Sequence, residues 1–94
     1  MKTQSNMFEK LKKMQEAIEN AQQKLELEEF IGKAGDVEII LQGTKQVVDV
    51  IISQIHSKTI LQESVLLAFN DALKKLEKKS KELMQKASGD LIEL

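Results

Sequence analysis

The chain contains no cysteine, proline, tryptophan or tyrosine and only three phenylalanines. Arginine is missing too, so all fourteen basic residues are lysine. Each absence removes a class of function. Without Cys there is no disulfide framework, no thiolate metal site and no cysteine nucleophile. A single His excludes a multi-histidine metal centre within one chain. So few aromatics leave little on which bases can stack, and the lack of Pro rules out proline-rich docking segments. The lack of Arg removes the commonest bidentate contact to guanine. No unbroken apolar run approaches the roughly twenty residues that a membrane-spanning helix needs. Residues 1–6 have no apolar core of the signal-peptide kind, so the expected location is the cytoplasm.

What is present is 94 residues with 41% hydrophobic and 31% charged side chains. That suits one ordered, helix-rich domain or half of a two-copy assembly. Met7, Leu11, Met14, Ile18, Ala21 and Leu25 recur at spacings of four and three, a heptad seam on a helix expected from about Asn6 to Glu29. Asn6 with Glu9 has the spacing of a cap. So narrow a stripe suits one partner helix better than a deep core.

The period then changes. Val37–Leu41 and Gln46–Ile52 are short and β-branched, and Gln42–Lys45 between them reads as a turn in which Gly43 supplies a positive φ. Gly32 and Gly35 are expected to shape a turn before this hairpin, with a short strand ahead of it. The hairpin is apolar on both faces: Val48, Val50 and Ile52 on one, Val47 and Ile51 with Asp49 on the other. It therefore calls for cover on both sides. The helical period returns near Thr59, with Thr59 and Ser57 as competing starts. Val65, Phe69, Ala72, Leu76, Leu83 and Ala87 form one stripe, widened by Leu66, Leu73 and Met84, and Gly89 is the expected C-cap.

The order is thus helix, two or three strands, helix. A helix over residues 59–88 spans about 45 Å, whereas a seven-residue strand covers about 23 Å. Half of the second helix must protrude, and the first is the only element able to pack along it as an arm. The exposed sheet edge and second apolar face are relieved by a homodimer joined through the sheet and the start of the second helix. Val48, Val50, Ile52, Val65, Phe69, Asn70 and Asp71 are the candidate interface residues.

No pattern points to catalysis. His56 sits in a polar connection without a ligand-spaced partner, and the serines have no His in a triad-like context. Gly32-Lys33-Ala34-Gly35 does not precede a helix, so it is no phosphate loop. The reading is of a protein without enzyme activity, metal, cofactor or small-molecule substrate. The net charge of −1 is unevenly divided. Residues 1–13 carry +3, residues 14–73 carry −6, residues 74–86 carry +4 and residues 87–94 carry −2. Antiparallel helices would bring the two basic stretches together towards the arm's tip. Lysines make phosphate contacts without bidentate geometry, so binding there would be electrostatic and weakly sequence-specific. The alternative is a solvated face held by pairs such as Glu77 with Lys81.

The run Ala68-Phe69-Asn70-Asp71-Ala72, followed by Leu73-Lys74-Lys75-Leu76-Glu77, resembles the last helix of the YbaB/EbfC family of bacterial nucleoid-associated proteins. Gly32–Gly35 before Val37, Leu41-Gln42-Gly43, and the Met/Gln-rich opening helix are similar in the same order. The resemblance spans roughly residues 7–89, within a single domain over 1–94. It implies an α+β fold of order α-β-β-β-α, with a small antiparallel sheet, and a tweezer-like homodimer whose arms grip duplex DNA in the nucleoid. The basic positions that match are Lys10, Lys12 and Lys13 in the first helix and Lys74, Lys75, Lys78, Lys79 and Lys81 in the last. The rival reading is a dimeric interaction module, or a divergent member that binds a protein and not DNA.

Overall fold

Five elements follow one another: α1 (Lys2–Leu27), β1 (Glu29–Ala34), β2 (Val37–Gln42), β3 (Val47–Ile52) and α2 (Lys58–Ile92). They come from a computed structural model that describes the backbone of residues 2–92 and the side chains of residues 7–89. The strands form one antiparallel sheet in the order β1-β2-β3. The chain is elongated, with extents of 70 × 19 × 13 Å.

The α+β order and the arm agree with the sequence reading, and the open question of two or three strands resolves to three. Several boundaries move. α1 begins at Lys2, so Asn6 lies inside the helix and does not start it; its side chain is outside the described residues. The end of α1 at Leu27 is closed by a tight turn and tied to the end of β2 and the turn after it. Glu28 N donates to Leu25 O at 3.1 Å, Gln42 Nε2 to Glu26 O at 3.2 Å, and Gly43 N to Glu28 O at 2.9 Å. That docking also explains Gly43. A Cβ there would lie 1.7 Å from the Leu25 carbonyl oxygen, so the glycine admits a close approach. The positive φ of this hairpin belongs to Lys45, at 74°. Gly35 has a φ of 55° and opens the two-residue turn between β1 and β2, whereas Gly32 lies within β1.

Ser57 wins the start of α2: its hydroxyl accepts from Ile60 N at 3.1 Å and its carbonyl from Leu61 N at 3.0 Å. At the other end α2 runs straight through Gly89, so the expected cap is not used and Asp90–Ile92 extend the helix. Residues 93 and 94 lie outside the described residues.

The core lies between α2 and the inner face of β1 and β2. Val37, Ile39 and Leu41 are buried on that face against Ala68, Ala72 and Leu76, and Leu25 closes the end where α1 joins. Burying such aliphatic side chains contributes about 1.5–3 kcal/mol each. β3 lies largely beyond the cover of α2, and all six of its residues are exposed. A bulge shifts its register between Ile40 and Leu41, so Val47 stands opposite Leu41. Paired residues share a face, which moves Val47 to the side of Val50 and Ile52. The outer face is mixed, not wholly apolar. Ile31 and Ile51 are exposed there beside an ion pair of Lys33 and Glu38 at 3.5 Å.

Candidate nucleic-acid interface

α2 reaches β1 more closely than side chains ordinarily permit. Gly32 faces Ala68 and Ala72, both fully buried; a Cβ on Gly32 would come within 1.9 Å of Ala68 O. This backbone approach lets two α2 side chains clasp the open edge of β1. Lys33 N donates to Asp71 Oδ2 at 3.1 Å. One turn on, Lys75 Nζ donates to Ile31 O at 2.7 Å and pairs with Asp71 Oδ2 at 3.2 Å. The Lys33 amide, followed by the Lys75 hydrogen bond, holds the Asp71 carboxyl below its ordinary pKa, with the charges of Lys75 and Lys74 adding to the effect.

The Ala-Phe-Asn-Asp-Ala run thereby gains a physical account. Its alanines let the backbones meet, Phe69 packs against both halves of the core, and Asp71 fastens the edge. Asn70 is exposed, and nothing in the structure explains it. Asp71 lies on the β1 flank, bonded to Lys33 N and Lys75 of the same chain. Val65 and Phe69 are half-buried, and Val48, Val50 and Ile52 are 50%, 44% and 41% exposed.

Among the described residues, Lys75 is the only candidate lysine held in an ion pair. Lys74, Lys78 and Lys81 are exposed, and Glu77 is not paired with Lys81 as the helical spacing allowed. Lys79 is half-buried beside Phe30, where Lys75, Lys78 and Glu82 complete an open hollow of about 300 Å³. Lys10, Lys12 and Lys13 are exposed on α1.

The helices are antiparallel, because Leu25 packs with Leu76 while Ala17 and Ala21 face Leu83 and Ala87. This register corrects the expectation that the two basic stretches meet. Lys74–Lys81 lie at the arm's root, and Lys10–Lys13 stand roughly 20 Å further out at 1.5 Å per residue. Lys24 and Lys86 border the groove between the helices in the interval. Lys86 closes the basic stretch 74–86, whereas Lys24 lies in the acidic stretch and the charge pattern does not single it out; counting residues back from the sheet on both helices places both on the arm.

His56 is exposed as expected, yet not idle: Nε2 lies 2.8 Å from Asp36 Oδ2. Ser53 also bonds Asp36, through its hydroxyl to the backbone oxygen at 3.2 Å and through its amide to the same oxygen at 2.9 Å. The Ser53 hydroxyl also lies 3.4 Å from Asp36 Oδ1, so the carboxylate stands between Ser and His, where a nucleophilic relay requires the imidazole. This cluster ties the β3–α2 connection to the first turn. No described helix is long and apolar enough to cross a membrane.

The architecture defines an α+β chain whose distinctive surface is a basic two-helix arm, not a pocket. The chain belongs to the YbaB/EbfC DNA-binding family, whose model matches residues 1–91. It is 35% identical over 88 residues to a nucleoid-associated protein of Xylella fastidiosa (strain Temecula1), covering 89% of this chain and 83% of that one. It is 33% identical over 92 residues to a nucleoid-associated protein of Mycoplasmopsis pulmonis, covering 93% and 92%. A nucleoid-associated protein of Enterococcus faecalis is also 33% identical over 92 residues, with 92% and 88% covered.

Proposed function

We propose that this chain is a non-catalytic, nucleoid-associated DNA-binding protein of the bacterial cytoplasm, acting as a homodimer that grips duplex DNA between two arms. The observation that carries the reading is the line of exposed lysines along the arm: Lys74, Lys78 and Lys81 at the root with the half-buried Lys79 beside them, Lys24 and Lys86 midway, Lys10, Lys12 and Lys13 at the tip. Such a line follows a phosphate backbone and releases counterions, without the fork geometry that reads guanine. Low sequence specificity and steep salt dependence follow. Lys75 supports this surface by holding the helix, and is not itself a phosphate ligand in this reading.

The dimer surface is the uncovered side of β3 with the adjoining flank of α2, where Val48, Val50, Ile52, Val65 and Phe69 lie. Leu66, 61% exposed, adds to it. A half-empty sheet face of this kind favours a second copy that supplies the missing layer.

Titration of duplex DNA at several salt concentrations tests the reading. Affinity should fall steeply as salt rises. No binding at low salt, or binding insensitive to salt, would overturn it. Protein partners captured from nuclease-treated extract in the absence of DNA affinity would favour the interaction-module reading.

A further inference from the structure

The two flanks of the arm differ in charge. At about 100° per residue, Lys10, Lys13 and Lys24 fall with Ala17 and Asn20 in a strip of α1 about 80° wide. On α2, Lys75, Lys79 and Lys86 fall within about 40° of one another. The groove lined by Ala17, Ala21 and Lys24 of α1 and by Leu83, Lys86 and Ala87 of α2 puts both strips on one side of the arm. It is the side of β1, since Lys75 bonds Ile31 O and Lys79 lies in the hollow beside Phe30. Glu82 is the acid within it, and Glu9 stands at its margin. The opposite flank of α1 carries Glu19, Gln22 and Glu26, which border a separate hollow with Ile18 and Gln23. Lys12 lies on the far side of α1, and Lys74 and Lys81 on the back of α2.

A helix face that only keeps an arm soluble mixes both signs, as acids and lysines support one another a turn apart. Here the signs are sorted by side. Lys13, Lys24 and Lys86 are exposed, and none is in an ion pair among the described residues. Ala17, Ala21 and Ala87 keep the groove low between Lys24 and Lys86, leaving an open space of about 260 Å³. With Ala17 level with Ala87 and Ala21 with Leu83, the lysines alternate between the helices outward from the sheet: Lys24 beside Lys79, then Lys86, then Lys13. Successive steps are roughly 7–9 Å, or two to three phosphates of one strand.

We propose that this β1-side flank is where each arm meets DNA, with one phosphate strand along the groove, Lys24 and Lys86 on either side of it, and Lys13 and Lys79 continuing the row. The inference rests on the DNA-binding reading above and deepens it, placing Lys13, Lys24 and Lys86 on phosphates ahead of Lys12, Lys74 and Lys81. The side is fixed by the arm itself, however two arms are turned in a dimer.

The chain has no cysteine, so a single one introduced on either flank reports on that flank alone. Asn20 on the lysine side and Gln22 on the glutamate side are both exposed. Chains carrying Asn20→Cys or Gln22→Cys are alkylated with an uncharged reagent, with and without duplex DNA at low salt. A thiol covered in the complex reacts only through the free fraction, so duplex at about ten times its Kd should slow position 20 about tenfold and leave position 22 nearly unchanged. A second measurement removes charge. Lys24→Gln with Lys86→Gln should flatten the plot of log affinity against log salt by about 1.8, at about 0.9 per phosphate. Lys33→Gln with Lys58→Gln takes the same charge from exposed positions off the arm and should leave the slope unchanged. Salt-sensitive binding that protects position 22 as well as or instead of position 20, or neither, overturns the inference while the DNA-binding reading stands. So does an equal loss of slope in the two lysine pairs. No binding to duplex at low salt removes both.

Discussion

Lys45 is the one described non-glycine residue with a positive φ, 74°. A side chain in the left-handed region costs about 1–2 kcal/mol, part of which a glycine returns as unfolded-state entropy. Lys45→Gly should therefore stabilise the chain by roughly 0.5–1 kcal/mol in urea melts, and a loss of stability would contradict this account of the turn. Asp71 makes a different kind of prediction. Its carboxyl is held below the ordinary range, chiefly by the Lys33 amide and then by Lys75. A lowered folded-state pKa stabilises the fold above the ordinary value of about 4, and the benefit disappears as pH falls through the lowered value. Asp71→Asn should thus melt below the unmodified chain at pH 7, and the gap should narrow in acid. A gap that stays constant with pH would show that the charge is irrelevant.

At the level of elements, the proposed function divides the lysines of α2 between two tasks. If Lys74, Lys78 and Lys81 sit on phosphates, replacing them by Ala should flatten the plot of log affinity against log salt by about 0.9 for each phosphate no longer neutralised. Lys75→Ala should lower the melting temperature instead and leave that slope nearly unchanged, because its ammonium is already engaged by Ile31 O and Asp71. Much of this organisation is legible in the sequence. Periodicity separates helix from strand, and lengths require an arm. What sequence does not supply is register. The bulge opposite Leu41 moves Val47 to the other face, and the pairing of Ala17 with Ala87 keeps the basic stretches apart. Periodicity fixes which residues share a face within an element, but not how far one element slides along another. Gly43 departs from expectation for a related reason: its neighbour, Leu25 O, belongs to a distant part of the chain.

At the scale of the whole molecule, the proposed dimer depends on apolar residues that the subunit leaves exposed. Val50→Asp with Ile52→Asp should dissociate it in sedimentation experiments without unfolding the subunit, since both side chains are more than two-fifths exposed. Helical content retained at half the mass is the expected result; an unchanged mass would place the interface elsewhere. DNA affinity should fall with the mass, because one arm cannot oppose another.

The two borders of the sheet are not equivalent. β1 is fastened by Asp71 and Lys75, while β3 is bordered, among the described residues, only by the bond of its own Val50 N to Asp49 Oδ1 at 2.8 Å. A unit with two adhesive borders adds neighbours without limit and grows into a filament; a unit with one stops after a single addition. If assembly uses the open border of β3, the clasp on β1 would end it at a single addition. Removing it with Asp71→Ala and Lys75→Ala should yield species heavier than a dimer that grow with concentration, detectable by light scattering, whereas the unmodified chain should stay at a fixed size.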